Sequence, residues 1–175
     1  MKKVLILDTS VMCTWLQVPG KETCGKDGNI LTHDIVERKI ETEKSYGTTF
    51  ILPIASIIET GNHIAHSSGD RHKIGEEFSN LICDTADNNS PWAAFTEQSV
   101  LWQPEKLKAL AERWKETVVS GQSLGDASIV EVADYYAKMG FNVEIFTGDE
   151  GLKAYEPLQK TQMPRRRKKT IICRR

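Results

Sequence analysis

Residues 4–7, Val-Leu-Ile-Leu, are an apolar run without alternation, and the run stops on Asp8. A strand with one wet face alternates, so a continuous run fits a central parallel strand covered on both sides. "TTFILP" at 48–53, halted by Pro53, and "NVEIF" at 142–146 are of the same kind. Helical spacing marks 9–17, 33–45, 55–66, the segment after Asp70 with apolar residues at 74, 78, 81 and 82, then 105–119, and Gly125 to near Gly140. Thr32 and Pro104 suit helix starts. The order β-α-α-β-α-α-α-β-α predicts an α/β fold with a central, mostly parallel sheet and right-handed crossovers. Residues 18–31 read as a polar, Gly-rich loop, the stretch "NNSPWAAFTEQSVLW" gives no clear period, and "KTIICR" offers a last edge strand at 170–173.

A chain of 175 residues suits one domain, here expected over 1–158, followed by a basic segment at 159–175. Eight of the 23 basic residues fall in 160–175 and all 24 acids precede them, which leaves 15 basic against 24 acidic in 1–159. The body thus carries -9 and the tail +8, a split that lets cations gather in one place and a polyanion in another. No apolar run approaches the roughly 20 residues of a membrane span. The opening run is shorter than the ~7–15 residues of a signal-peptide core, so neither export nor a membrane partner is expected. Four scattered cysteines make no C-x-x-C pair, and with the four histidines they make no zinc spacing, which favours reduced thiols in a cytoplasm. The glycine patterns of dinucleotide-binding and P-loop folds are absent.

In an open parallel sheet, functional groups collect at the carboxyl ends of the strands. Asp8 leaves the first strand, Asp149 lies three past Phe146, Glu59 sits on the helix after "FILP", and Asp126 opens the helix that leads into "NVEIF". All four can project over one rim and converge within a few ångströms. Clustered carboxylates repel, and a divalent cation resolves the repulsion. Hard Mg²⁺ or Mn²⁺ takes oxygen ligands, is commonly shared with phosphates, and activates water for attack on phosphorus. Each acid also has a plainer reading. Asp8 can start a turn, Ser123-x-x-Asp126 resembles a capping box, and "TGDEG" around Asp149 is turn chemistry. Glu59 has apolar flanks at Ile57, Ile58 and Ile64.

The set "VLILDTS", "LPIASIIETGNHI" and "SLGDASIVEVADYYAKMGFNVEIFTGDEGL" resembles the PIN-domain nucleases, with D-[ST]-[SN] after the first strand, a helical Glu, then D-A-x-I and T-x-D. The resemblance implies a three-layer α/β/α, PIN-like fold and a Mg²⁺- or Mn²⁺-dependent endoribonuclease. Asp8, Glu59, Asp126 and Asp149 would be both its catalytic and its metal-binding acids. Ser10 and Thr147 match hydroxyl positions that orient acids or water. Asn62 and His63, three and four residues after Glu59, share its helical face and are candidates for substrate contact. Arg165, Arg166, Arg167, Lys168 and Lys169 would meet RNA phosphates. The family also admits an antitoxin-like inhibitory protein and a homo-oligomer as partners. Segments 18–31 and 67–103 and the basic tail exceed its compact toxin-type members. A haloacid-dehalogenase-type phosphatase wants a second acid where Ser10 stands, and a receiver domain wants an acid pair. The remaining alternative is a catalytically silent PIN-like module that binds RNA or acts as a scaffold.

Overall fold

The structure, a computed structural model, describes residues 2–158 except 27 and 94. The chain runs β1 (Lys3–Leu7), α1 (Thr9–Trp15), β2 (Thr23–Cys24), β3 (Leu31–Thr32), α2 (His33–Ser45), β4 (Thr49–Ile51), α3 (Ile54–His66) and α4 (Arg71–Ala86). A 3₁₀ helix (Phe95–Trp102) leads to α5 (Pro104–Thr117), a short 3₁₀ turn (Val118–Ser120), α6 (Leu124–Lys138), β5 (Asn142–Phe146) and α7 (Glu150–Lys153).

The apolar run of β1 explains the architecture. β1 is the middle strand of a parallel sheet ordered β4-β1-β5, with Ile6 opposite both Ile51 and Ile145. Leu5 and Leu7 point into a core with Met12, Val36, Ile40, Ile64 and Phe78. Val4 and Ile6 point the other way, against Ile129, Val132, Ala133 and Tyr136 of α6. One strand therefore feeds two cores, and the fold is a three-layer α/β/α sandwich. Residues 4–7 are fully buried, and each such side chain is worth about 1.5–3 kcal/mol of transfer free energy.

Both edges of the sheet are occupied. Along β4, the Phe50 N–H donates to Pro91 O at 2.8 Å, and the Ala93 N–H donates to Phe50 O at 3.0 Å. Along β5, the Ile145 N–H donates to the Glu156 carboxylate at 3.0 Å, while Lys153 Nζ donates to Ile145 O at 2.8 Å. Two side chains thus occupy backbone positions that would otherwise template another strand.

An ionic cluster backs β5. Lys3 and Lys39 bridge Glu43 and Glu144, and Lys39 lies 2.9 Å from Glu144. Burial pushes the Glu43 carboxyl up, but hydrogen bonds from Lys3, Thr48 and Lys39 more than offset it and hold it at about 2.

Two regions differ from the sequence reading. The segment read as a loop at 18–31 carries most of a small antiparallel hairpin, β2–β3, which ends at Thr32 opposite Thr23. The stretch after residue 88 contributes the bridge between Phe50 and Trp92 before its 3₁₀ helix. Thr32 does precede α2, yet its side chain makes no capping bond. Among the described residues no helix is long and apolar enough to cross a membrane. The edge strand expected at 170–173 lies outside the described residues.

Candidate functional site

Asp8 follows β1 at the carboxyl rim and is only 6% exposed. Its Oδ2 accepts hydrogen bonds from Ser10 Oγ at 2.6 Å, Thr147 Oγ1 at 2.8 Å and the Ser10 N–H at 3.3 Å. Those hydroxyls are themselves held: Ser10 Oγ accepts from the Gly148 N–H at 3.1 Å, and Thr147 Oγ1 accepts from the Asp149 N–H at 2.9 Å. Ser10 and Thr147 therefore orient Asp8 and tie the end of β1 to the loop after β5.

Glu59 lies one and a half turns into α3. Its Oε2 accepts from Thr9 Oγ1 at 3.0 Å, and its Oε1 would stand 2.2 Å from a Cβ at Gly125. Only a glycine lets α6 approach this carboxylate so closely. Asp126 is the third residue of α6 and closes a capping box, with Oδ2 accepting from the Ser123 N–H at 3.2 Å and Ser123 Oγ accepting from the Asp126 N–H at 2.9 Å. Asp149 caps α7 through Oδ1, which accepts from the N–H groups of Gly151 at 2.7 Å and Leu152 at 3.3 Å. Asp126 and Asp149 line one cavity of about 230 Å³.

These contacts close a ring. Asp8 leads through Thr9 to Glu59, Glu59 to Gly125 and so to Asp126, Asp126 across the cavity to Asp149, and Asp149 through Thr147 back to Asp8. Among the described residues no three His, Cys, Asp or Glu side chains gather tightly enough to hold a metal ion between them. The four acids ring the rim; they do not meet at one point.

Two features suit an oxygen-preferring cation nonetheless. Each acid uses one oxygen for its local hydrogen bonds, and the other oxygen (Asp8 Oδ1, Glu59 Oε1, Asp126 Oδ1, Asp149 Oδ2) accepts from no described group. No ion pair among the described residues contains any of the four. Mg²⁺ ordinarily keeps several waters and takes only one or two carboxylates directly, so a tight triad is not required.

Comparison with protein-family models, with curated proteins and with solved structures gave no match.

The β2–β3 hairpin reaches the rim. A Cβ at Gly148 would fall 2.5 Å from Gly25 N and 2.8 Å from Cys24 Sγ, so Gly148 permits hairpin and β5 loop to touch. A cleft of about 360 Å³ beside it is lined by Ser10, Lys26 and Asp149, among others. Cys13, on α1 beneath the rim, is buried, and that burial pushes its thiol up to about 11, which marks it as an inert core thiol.

Asn62 is exposed and His63 half-buried on α3, and neither side chain is hydrogen-bonded among the described residues. Glu150 accepts from Asn29 Nδ2 at 3.3 Å on the surface. Arg165, Arg166, Arg167, Lys168 and Lys169 lie outside the described residues. Thr9, Gly125, Gly148 and Lys26 were missed by the sequence reading. Thr9 and Gly125 did carry a signal, since each is the immediate neighbour of a predicted acid.

Proposed function

We propose that the protein is a Mg²⁺- or Mn²⁺-dependent endoribonuclease of PIN-like type. The observation that carries the reading is the ring of four unpaired acids, each with an oxygen left over, around the carboxyl rim of a parallel sheet. Asp8, Glu59, Asp126 and Asp149 would hold the ion through those oxygens. When bound, the ion supplies charge compensation and water activation for a phosphodiester displacement. The protein's own share is orientation. Ser10 and Thr147 fix the Asp8 carboxylate by two hydroxyl bonds, Thr9 fixes Glu59, and the helix caps fix Asp126 and Asp149. Their rotamers are set before substrate arrives, which is what positioning catalysis requires. RNA is the polyanion for which the basic tail gives long-range attraction, since the acidic body does not.

The test is cleavage of mixed RNA and DNA by purified protein across a Mg²⁺ and Mn²⁺ titration, with Asp8→Asn and Asp126→Asn beside it. Wild type should cut RNA only with metal, and both variants should lose cleavage while keeping cooperative melting. The competing reading is a silent RNA-binding or scaffolding module, and one observation favours it: every one of the four acids already has a structural bond. It prevails if wild type cuts nothing with either metal while the variants bind RNA as well as wild type does.

A further inference from the structure

The cavity shared by Asp126 and Asp149 does not end at the rim. Gln122 and Tyr155 line it, and the same two residues line a second cavity of about 260 Å³ with Trp114, Leu110, Val130 and Asp134. Either alone is smaller than the roughly 300–1,000 Å³ of a pocket for a drug-sized ligand. The two cavities share Gln122 and Tyr155 in their walls, which sets the rim acids Asp126 and Asp149 beside a partly aromatic recess between α5 and α6.

The local structure keeps this recess open. Trp114 Nε1 donates to Gln122 O at 3.0 Å, which pins the indole to the turn between the helices. Gly121 makes that turn with φ of 89°, a value that suits glycine. Among the described residues the ring contacts join Phe50 to Trp92, Tyr135 to Tyr136, and Tyr136 to Phe141. Trp114 and Tyr155 belong to none, so no other ring covers their π faces. Tyr155 is 45% exposed. Its hydroxyl and the Gln122 amide make no hydrogen bond among the described residues. Of the charged residues lining the recess, Arg113 is already paired with Glu131. Asp134, 3.8 Å from Lys138, brings only acceptors.

We infer that this recess is a nucleobase subsite for single-stranded RNA, in which one base flanking the reacting phosphate stacks on Tyr155 and Trp114 and is read by Gln122 and Asp134. Aromatic side chains that are not stacked on other rings are platforms for unpaired bases, and sequence-specific RNA recognition works mainly on unstacked single strands. An amide offers both a donor and acceptors, whereas a carboxylate accepts only. The recess therefore favours a base with an exocyclic amino group, such as adenine or cytosine, over uracil. The inference rests on the nuclease reading and adds a specificity determinant to the same rim.

Full-length protein in EDTA, titrated into single-stranded RNA oligonucleotides carrying one 2-aminopurine, reports stacking as fluorescence quenching without cleavage. Wild type should quench the probe. Tyr155→Ala, at an exposed position, should abolish most of the quenching and weaken binding about 5- to 160-fold, the range expected for one lost base–aromatic stack. Trp114→Phe, which keeps an aromatic face, should retain most of it. With Mg²⁺ or Mn²⁺ present, cut-site mapping should show a base preference at one fixed position from the cut, relaxed in Gln122→Ala. Equal quenching and affinity in wild type and Tyr155→Ala, or no quenching by wild type, overturns the subsite. A base preference unaltered in Gln122→Ala does the same. Quenching by a wild type that cuts nothing with either metal sinks the nuclease reading and leaves the subsite standing.

Discussion

Gly125→Ala separates stability from chemistry at this rim. Gly125 is a helical residue with no positive φ, so alanine fits its backbone and should gain about 0.5–1 kcal/mol of helix propensity. The new Cβ, however, falls 2.2 Å from Glu59 Oε1 and 3.1 Å from the carboxyl carbon, where ordinary contact begins near 3.4 Å. The carboxylate must withdraw by about 1 Å. It sits at the end of a flexible side chain, so it moves before the helix does. The cost is the bond from Thr9, about 1.5–3 kcal/mol for a charged acceptor, reduced because Glu59 is half-buried and can rehydrate. The terms nearly cancel, leaving a destabilisation of about 1 kcal/mol or less. For a chain of this size that is a fall in Tm of roughly 2–4 °C. A misplacement of about 1 Å at a reacting centre costs on the order of 10²-fold. Thermal melting and single-turnover RNA cleavage, run on the same preparations, read the two effects separately. A variant that melts near wild type and cuts at the wild-type rate would refute the placement of Glu59 among the reacting groups. A fall in Tm beyond about 10 °C would instead show that α6, not the side chain, gives way.

Thr147→Val keeps the shape of the side chain but removes its hydroxyl bond to Asp8; cleavage should slow about 10-fold, with stability changing by roughly 1 kcal/mol in denaturant melts. The folded Glu43 carboxyl lies near 2, below its ordinary value of 4.5. Its stabilisation is therefore present above about pH 4.5 and is lost as pH falls through 2. Urea melts across that window should lose stability on the order of a few kcal/mol, and Glu43→Gln should flatten the slope. Replacing Arg165, Arg166, Arg167, Lys168 and Lys169 with Gln should weaken RNA binding and flatten its dependence on log salt, while single-turnover cleavage at saturating RNA survives. An unchanged salt slope would mean the tail does not touch RNA.

The three sheet strands were legible in the sequence because a strand buried on both faces must be continuously apolar, and 142–146 agrees with β5 residue for residue. The long helices were legible for the matching reason, an apolar stripe at helical spacing. The hairpin β2–β3 was not. Its strands are two residues long, and they rest on distant parts of the chain, with Cys24 and Leu31 packed on the main core and Gly25 and Cys24 close to Gly148, more than a hundred residues away. The bridge at Trp92 escaped for a similar reason, because its backbone bonds go to Phe50 and leave no period of their own. At the rim, position along the strands pointed to four acids. It marked Thr9 and Gly125 only as neighbours of predicted acids, without showing that Thr9 holds Glu59 or that Gly125 admits it, and it did not point to Tyr155, which lines both the rim cavity and the recess by Trp114.

The plain reading of Asp126 as part of a capping box is correct in this fold, and Asp149, read as a turn residue, caps α7; that changes what capping implies about chemistry. A carboxylate has two oxygens and about four lone pairs, and a cap consumes one oxygen. Asp126 spends Oδ2 on Ser123 and Asp149 spends Oδ1 on the first turn of α7, which leaves each side chain fixed with its second oxygen unspent. An uncapped surface aspartate would sample several rotamers, and ordering it around a ligand would cost conformational entropy at that moment. Here the helix termini have already met that cost in folding. Capping and ligation are therefore sequential uses of one carboxylate. Loss of a cap, as in Ser123→Ala, should then weaken metal-dependent activity as well as α6, while the carboxylate itself remains in place.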